Sequence, residues 1–310
     1  GKRMSDTKKI VNFMGARRIA MLMSIAVMVA SVAVLAVKGL NFGLDFTGGT
    51  LIEVIYEESV PLEQVREDLR TAGYESAIVV NFGSDTDVLV RMPEGMSPTL
   101  GEEVLAVLQA GTEAEVELRR IEFVGPQVGE ELREQGGLAV LLALVVVLIY
   151  VAMRFQVKFS IGAVAALGHD VLITLGIFAL VGWDFDLTVL AAILAVIGYS
   201  LNDSIVVADR IRENLRKLRK HDPDEIINIS LTETLDRTLV TSGTTLLVLL
   251  ALAFVGGEMI HSFALALLIG IGVGTYSSIY IVASLLLTMK ISQDDLIVVE
   301  KEGAQIDDLP

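Results

Sequence analysis

Six apolar runs, each long enough to cross a bilayer, constrain this chain more than any other feature. They lie at 19–37, 136–153, 159–181, 187–208, 238–256 and 263–289. A transmembrane helix needs about 20 mostly apolar residues, and in lipid its backbone must satisfy its own hydrogen bonds. Hydrophobic residues make up 53% of the chain, in agreement with this pattern. The sequence predicts a membrane all-α six-helix bundle, with five helices in 136–289 and an insert at 39–135.

The distribution of lysine and arginine predicts how the helices cross the membrane. Six basic side chains lie in the tail 1–18, and six more lie between residues 210 and 220. The turns after the third and fifth runs contain none. Because cytoplasmic segments carry the excess of Lys and Arg, we expect both tails, 1–18 and 290–310, in the cytoplasm. The insert 39–135 then faces the periplasm.

Residues 209–237 separate the fourth and fifth runs on the expected cytoplasmic side. They contain seven acidic and seven basic side chains. This composition favours a solvated cytoplasmic loop over an amphipathic interfacial helix at 224–235.

The insert carries most of the charge imbalance of the chain. It has 20 acidic and six basic side chains, against a net charge of −15 for all 310 residues. An acidic surface disfavours nucleic acid and anionic lipid and suits cationic or unfolded polypeptides. A merely solvated surface explains the same composition and is the favoured interpretation.

The pattern of the insert predicts a small α+β domain. Strand-like runs occur at 49–56, 77–82, 87–92 and 114–124, the last interrupted by Arg119-Arg120 in a way that predicts a bulge or bend. Helical patterns begin at Pro61 and Thr99. The order βαββαβ is that of a ferredoxin-like domain. For Gly48-Gly49 the pattern favours a turn into the first strand over a phosphate-binding loop.

Asp203 places a carboxylate inside the fourth apolar run. An ionised aspartate there is unfavourable by about 2.5–3.5 kcal/mol, so it needs a partner, water or a proton. Arg237 opens the next run at similar depth and is the expected partner. The pair indicates an ion or proton relay. The alternative is that Asp203 only joins helices through hydrogen bonds and does not titrate in function.

Three other features of the spans are candidates with weaker signals. Asp170, preceded by His169, lies near the middle of the third run and is a further candidate for the relay, although helix packing explains His169 equally well. Asp209 lies at the membrane interface near Arg212 and Glu213, where capping or a salt bridge is expected. Glycines and serines at 270–278 predict close helix packing rather than a pathway.

Five motifs carry a resemblance to the SecF family of the bacterial Sec translocon. They are Phe42-Gly-Leu-Asp-Phe-Thr-Gly-Gly-Thr-Leu-Ile-Glu53, Phe123-Val-Gly-Pro-Gln-Val-Gly129, Ala166-Leu-Gly-His-Asp-Val171, Gly198-Tyr-Ser-Leu-Asn-Asp-Ser-Ile-Val-Val-Ala-Asp-Arg-Ile-Arg-Glu-Asn214 and Arg237-Thr-Leu-Val-Thr-Ser-Gly-Thr-Thr245. The match runs from about residue 10 to the last apolar run, in motif order and with matching topology.

The resemblance implies half of a resistance–nodulation–division transporter fold and pairing with SecD, a related six-span subunit. It also implies that the complex uses the proton motive force to help unfolded preproteins leave the SecYEG channel, at the periplasmic side of the bacterial inner membrane. The family's membrane-embedded acid and essential arginine fall on Asp203 and Arg237.

Other function classes are compatible with parts of the pattern. A small-molecule or lipid exporter of the same superfamily is one alternative, although such exporters are larger, with two big inserts on twelve spans. A non-conducting scaffold subunit is the other. No nucleophile set, Walker loop or HExxH helix occurs, so the sequence predicts neither an enzyme nor a cofactor or metal site. The expected partners are SecD, SecYEG, preproteins and the lipid bilayer, with no nucleic acid.

Overall fold

The described residues of this protein contain all six predicted membrane spans. A computed structural model describes residues 10–93, 99–155 and 157–292, without the side chains of residues 258 and 259. Six helices within these ranges are long and apolar enough to cross a membrane. The two tails predicted to be cytoplasmic fall largely outside the described residues, so their placement stays a prediction.

The first membrane helix leads into two short elements. After a 3₁₀ turn at Met14–Ala16, helix α1 spans Arg17–Val37. A two-residue strand β1 (Asn41–Phe42) and one helical turn α2 (Leu44–Thr47) follow. Most of α1 is exposed although it is strongly apolar, as expected for a helix that faces lipid.

The insert folds as a four-stranded antiparallel sheet with two helices on one face. Its elements are β2 (Gly49–Tyr56), α3 (Leu62–Thr71), β3 (Ile78–Phe82), β4 (Ser84–Met92), α4 (Leu100–Ala110) and β5 (Val116–Val124). The strand order is β3-β4-β2-β5. Ile52, Val54 and Val90 of the strands pack with Leu69 and Val104 of the helices. The predicted ferredoxin-like fold is confirmed.

The predicted irregularity at Arg119-Arg120 is a β-bulge. Glu53 pairs with Arg120 whereas Val54 pairs with Leu118, so Arg119 is the extra residue of β5. Nε of Arg120 lies 3.1 Å and Nη1 of Arg119 lies 3.7 Å from the buried Glu53 carboxylate. The bulge thus turns two successive cations towards one buried acid.

Gly48 and Gly49 form the predicted turn into β2. Both have positive φ, 70° and 119°, a region that L side chains rarely adopt. A Cβ on Gly48 would lie 2.7 Å from Cα of Pro126, and one on Gly49 would lie 2.4 Å from the Met92 carbonyl oxygen. Glycine is required here because two backbone segments approach the turn closely.

The remaining helices follow without another insert. They are α5 (Pro126–Arg154), α6 (Val157–Val181), α7 (Leu187–Lys217), α8 (Pro223–Val255) and α9 (Glu258–Thr288), with a two-residue strand β6 (Asp184–Phe185) between α6 and α7. Helix α9 packs against α6, α7 and α8, and α1 packs against α6. The predicted six-helix bundle with an inserted ferredoxin-like domain is therefore confirmed.

The helices α7 and α8 extend past the apolar runs, which corrects one prediction. The region 209–237 is helical except at 218–222, so it is neither a solvated loop nor a separate interfacial helix. Arg210 forms ion pairs with Glu213 on its own helix and with Glu233 on α8, and these contacts join the two extensions. Charged residues end a hydropathy signal, but they do not end a helix whose charges pair.

Close packing at α9 agrees with the glycine pattern of its sequence. A Cβ on Gly270 would lie 2.3 Å from Val196 Cγ2, and one on Gly274 would lie 3.1 Å from Ser200 Cβ. Nothing lies within 4 Å of the corresponding position at Gly272. Two of the three glycines therefore bring α9 against α7.

A cluster of contacts holds the insert to the bundle near the start of α7. Strands β1 and β6 pair in parallel, and Phe42, Phe46 and Phe185 form an aromatic cluster. Arg91 of β4 forms an ion pair of 3.3 Å with Asp184. The backbone N–H of Leu187 donates to the Asp45 carboxylate at 3.0 Å. The insert therefore contacts the N-terminal end of α7, the helix that carries Asp203.

Candidate functional site in the membrane bundle

Asp203 lies inside the bundle, at the junction of three helices. It projects from α7 and is 3% exposed. The Ser242 hydroxyl of α8 donates to Asp203 Oδ2 at 3.3 Å. The Thr275 hydroxyl of α9 lies 2.8 Å from the Ser242 oxygen. This row of hydroxyls joins all three helices, but it provides Asp203 with a single, long hydrogen bond.

Arg237 does not form the expected direct pair with Asp203. No nitrogen of Arg237 lies within 4.0 Å of that carboxylate in this structure, in which both side chains are described. The Arg237 side chain is exposed at the wall of a cavity of about 540 Å³. The sequence correctly placed the acid and the base on consecutive helices, but their contact is not part of this conformation.

The cavity beside Arg237 lies between α5, α7 and α8 and has a mixed polar and apolar lining. Its wall consists of Tyr150, Arg154, Phe155, Ile205, Val206, Asp209, Arg210, Glu213, Glu233, Thr234 and Arg237. A space of this size holds several water molecules. It provides a polar region next to the segment of α7 that follows Asp203.

Three of the six charged side chains that line this cavity pair with one another. Arg210 binds Glu233 at 2.7 Å and Glu213 at 2.5 Å. Asn214 also donates to Glu233 at 2.7 Å. Among the described residues, Asp209 has neither a hydrogen bond nor an ion pair through its side chain, and it is exposed. The expected salt bridge of Asp209 is therefore wrong: Arg210 pairs with Glu213 and Glu233, and the Arg212 guanidinium lies 5.9 Å from the centroid of the Phe155 ring.

Asp170 forms a second polar site, which is fully enclosed. The hydroxyls of Ser200 and Ser277 donate to Asp170 Oδ2 at 2.6 Å and 2.8 Å. Nδ1 of His169 lies 2.9 Å from Oδ1. Asp170 is 0% exposed, so these three groups replace water around it.

His169 connects this site to the first helix. Its ring stacks on Tyr276 at 6.3 Å between centroids. The Tyr276 hydroxyl donates to the carbonyl oxygen of Ala20 on α1 at 2.9 Å. Nε2 of His169 is buried and has no hydrogen-bond partner in the described structure. Helix packing and a protonation role both remain compatible with this position.

Several functional side chains carried too weak a sequence signal to be selected. Ser200, Ser242, Thr275 and Ser277 are small polar residues inside apolar runs, and each contacts an interior acid or its hydrogen-bond chain. Hydroxyls in membrane helices usually bond back to their own backbone, so sequence position alone does not identify them. The spacing of Ser200 and Asp203, one turn apart on α7, could have indicated a shared face.

The acids of the described chain do not gather into a metal site. No group of three or more His, Asp or Glu side chains with metal-binding geometry occurs among the described residues. The arrangement places a buried carboxylate with one hydroxyl partner on the same helix as the cavity residues Ile205 and Val206, and Arg237 lies in the wall of that cavity.

Comparisons with known proteins agree with this architecture. The family described as "Protein export membrane protein SecD/SecF, C-terminal" matches residues 104–292, and the family "SecD/SecF GG Motif" matches residues 33–60. The second range contains Gly48 and Gly49, whose close backbone contacts explain the requirement for glycine.

Two relatives match almost the whole of this chain, and about half of their residues are identical to it. The chain is 52% identical to "Protein translocase subunit SecF" of Vibrio alginolyticus over 308 residues, which covers 98% of each chain. It is 51% identical to the protein of the same name from Pseudomonas aeruginosa, covering 97% of this chain and 98% of that one.

A solved structure has the same fold. The crystal structure of SecDF from Thermus thermophilus, described as a translocon-associated membrane protein, superposes with a TM-score of 0.85 at 39% identity. The superposition covers 93% of this chain, which spans only 40% of the length of that one. Family matches, relatives and structure together show that this chain belongs to the SecF family of protein export membrane proteins.

Proposed function

We propose that this chain is the SecF subunit of a SecD–SecF complex that uses the proton motive force to assist preprotein translocation. The complex acts with the SecYEG channel at the bacterial inner membrane, with both termini of this chain in the cytoplasm and the insert in the periplasm. The similarity to relatives named "Protein translocase subunit SecF" supports the export role.

The observation that carries the proposal is the sparse coordination of Asp203. A buried carboxylate with one hydroxyl donor at 3.3 Å has too few partners to stay ionised without a cation or water. Arg237 borders a polar cavity and can approach or leave. A nearby arginine favours the carboxylate, whereas apolar surroundings favour the protonated acid. One change in distance thus loads and releases a proton.

Asp170 is the enclosed member of the same proposed relay. Its oxygens are held by Ser200, Ser277 and His169, so its protonation requires α7 and α9 to separate locally. The same contacts favour the alternative in which this site only joins helices. The relay and the scaffold are therefore best distinguished by substitutions that remove titration but keep shape.

The membrane gradient provides energy of the required size. One charge that crosses a potential of 100 mV releases about 2.3 kcal/mol, equivalent to about 50-fold in a rate. A movement of α7 driven by this energy would reach the insert through contacts at the start of α7. These contacts are made by Asp45, Arg91 and the aromatic cluster. The acidic insert would then act on the emerging polypeptide.

The decisive experiment is preprotein export by vesicles containing SecD, SecYEG and this chain. Asp203→Asn keeps the shape and can still accept the Ser242 hydrogen bond, but it does not titrate. We expect normal assembly with SecD and loss of the gradient-dependent component of export, up to about 50-fold. Asp222→Asn, the same change at an exposed position outside the spans, is the control and should behave as the parent. An undiminished response of Asp203→Asn to the gradient would make Asp203 a packing residue.

Assembly gives a second test, which separates export from the exporter alternative. Detergent extracts should contain this chain with SecD and the translocon, because interior charges need partner helices to exclude lipid. Recovery with an outer-membrane channel instead would favour a small-molecule or lipid exporter. A monomer that is fully active in reconstituted export would contradict the requirement for SecD.

A further inference from the structure

The cavity beside Arg237 contains polar or charged groups from each of the three helices that form it. Helix α5 contributes a phenol and a guanidinium, α7 two acids and a guanidinium, and α8 one acid and a guanidinium. These groups are Tyr150, Arg154, Asp209, Arg210, Glu213, Glu233 and Arg237. The cavity is at the ends of α7 and α8 that the distribution of lysine and arginine assigns to the cytoplasm.

The three acids of this cavity are not equivalent. Both Glu213 and Glu233 have oxygens engaged by Arg210, and each has a further donor, Lys217 for Glu213 and Asn214 for Glu233. The Asp209 side chain has no hydrogen bond or ion pair among the described residues. Of the three acids, Asp209 is therefore the one whose oxygens are free, among the described residues, to accept a proton carried by cavity water.

Asp209 also has the right position along the helix. It lies on α7, six residues after Asp203, which corresponds to a rise of about 9 Å. Ile205 and Val206, between the two acids in sequence, line the same cavity. A proton that leaves Asp203 towards this side therefore enters the cavity before it reaches bulk water.

We propose that Asp209 is the exit acceptor of the relay, which takes the proton released by Asp203 and passes it to the cytoplasm. The O–H bond of Asp203 breaks, cavity water carries the proton, and an O–H bond forms on Asp209 before its proton leaves to bulk water. No electron is transferred. This inference rests on the proposed proton coupling. Arg210 supports it because its ion pairs with Glu213 and Glu233 leave Asp209 as the acid of the cavity wall without an ion pair among the described residues.

The test is gradient-driven export by vesicles with SecD and SecYEG, measured over a range of pH on the cytoplasmic side. Asp209→Asn should lower the gradient-dependent rate about tenfold. The rate should recover as cytoplasmic pH rises or when imidazole or acetate is added, because these small buffers accept the proton instead. Asp209→Glu keeps a carboxylate and should keep the parental rate. Asp209→Ser has neither a carboxylate nor an amide, so it should behave as Asp209→Asn if the loss comes from the missing carboxylate and not from the new amide.

Each result separates this inference from the proposed function. If Asp203→Asn loses coupling while Asp209→Asn equals the parent and Asp222→Asn, the exit role is wrong and proton coupling stands. If Asp203→Asn also keeps coupling, the relay and its exit both fail. A loss in Asp209→Asn that neither buffer, pH nor Asp209→Glu restores would show a structural role and overturn the inference.

Discussion

Two aspartates lie inside the same helix bundle, and their surroundings differ in almost every respect. Asp170 accepts hydrogen bonds from two serines and contacts His169, all within 2.9 Å. Asp203 has one donor, Ser242, at 3.3 Å. Both are almost completely buried. Burial alone therefore does not describe an interior acid, since one has three partners in place of water and the other has one.

Under the proposed relay, this difference lets one bundle combine rigid helix packing at Asp170 with proton exchange at Asp203. Two serine donors and the contact with His169 connect Asp170 to α6, α7 and α9, and a carboxylate held in this way stabilises the packing of those helices. Asp203 has lone pairs without donors, close to a cavity with a cation in its wall. We call Asp170 with its three partners the enclosed site, and Asp203 with Ser242 and the nearby Arg237 the open site. We infer that the enclosed site keeps the helices in place while the carboxylate of the open site gains and loses a proton.

Arg237→Met should have the largest effect and tests whether the open site depends on its cation. Loss of the guanidinium removes the group that favours the ionised form of Asp203, so gradient-dependent export should fall as far as in Asp203→Asn, up to about 50-fold. Arg237→Lys keeps a charge and should retain part of the response. If Arg237→Met kept the full response of export to the gradient, the protonation of Asp203 would not depend on Arg237.

Asp170→Asn should have the largest effect on stability. An amide presents N–H groups to donors that need an acceptor, so we expect a loss of about 1–3 kcal/mol. Asp203→Asn should change stability by less than about 1 kcal/mol, because its one hydrogen bond can be kept. Thermal unfolding in detergent can be followed by Trp183, the single tryptophan, which packs edge-on against Phe178. If Asp203→Asn destabilised the protein more than Asp170→Asn, Asp203 would be the residue that holds the helices together.

The serines provide a finer comparison of the same sites. Ser277→Ala removes a 2.8 Å hydrogen bond to Asp170 and should destabilise the bundle by about 1 kcal/mol. Ser242→Ala removes the longer bond to Asp203 and should change stability by less than about half of that. Equal losses, measured by the same unfolding assay, would mean that hydrogen-bond length does not distinguish the sites.

Asp184, outside the spans, is a reference acid whose ion pair is half exposed. Burial raises its pKa, with an added contribution from Asp186, while Arg91 opposes the rise. Because the folded pKa lies above the unfolded one, the contribution of Asp184 to stability is complete below its ordinary value of 3.8. It is lost as pH rises through the folded pKa.

Arg91→Ala should therefore destabilise the protein at neutral pH and much less at a pH well below 3.8, where Asp184 of the folded protein is protonated because its pKa is raised. Solvent screening of this half-exposed pair limits the effect to about 1 kcal/mol or less. In the presence of Asp184→Asn the pH dependence of Arg91→Ala should vanish, as a double-mutant cycle measures directly. Arg91 also donates from Nη1 to the Phe42 carbonyl oxygen at 3.4 Å. A loss of stability that is the same at both pH values would indicate that Arg91 acts through this hydrogen bond instead.

Sequence alone determined the spans and the insert, and it predicted Asp203 and Arg237 as candidate residues of the proton relay. Hydropathy is a local property, so six runs of apolar residues predict six helices whatever their packing. The βαββαβ order and the paired glycines follow from equally local patterns. Asp203 stood out because a charge inside an apolar run is energetically unusual in any fold.

Tertiary structure alone decided which groups surround each acid. Ser200 and Ser277 reach Asp170 from different helices, and a helix pattern does not specify how two helices rotate against each other. The free state of Asp209 and the helical extensions at 209–237 arise from pairing between α7 and α8, where Arg210 selects Glu213 and Glu233. Such choices depend on distances across the bundle, and these exist only once the helices have packed.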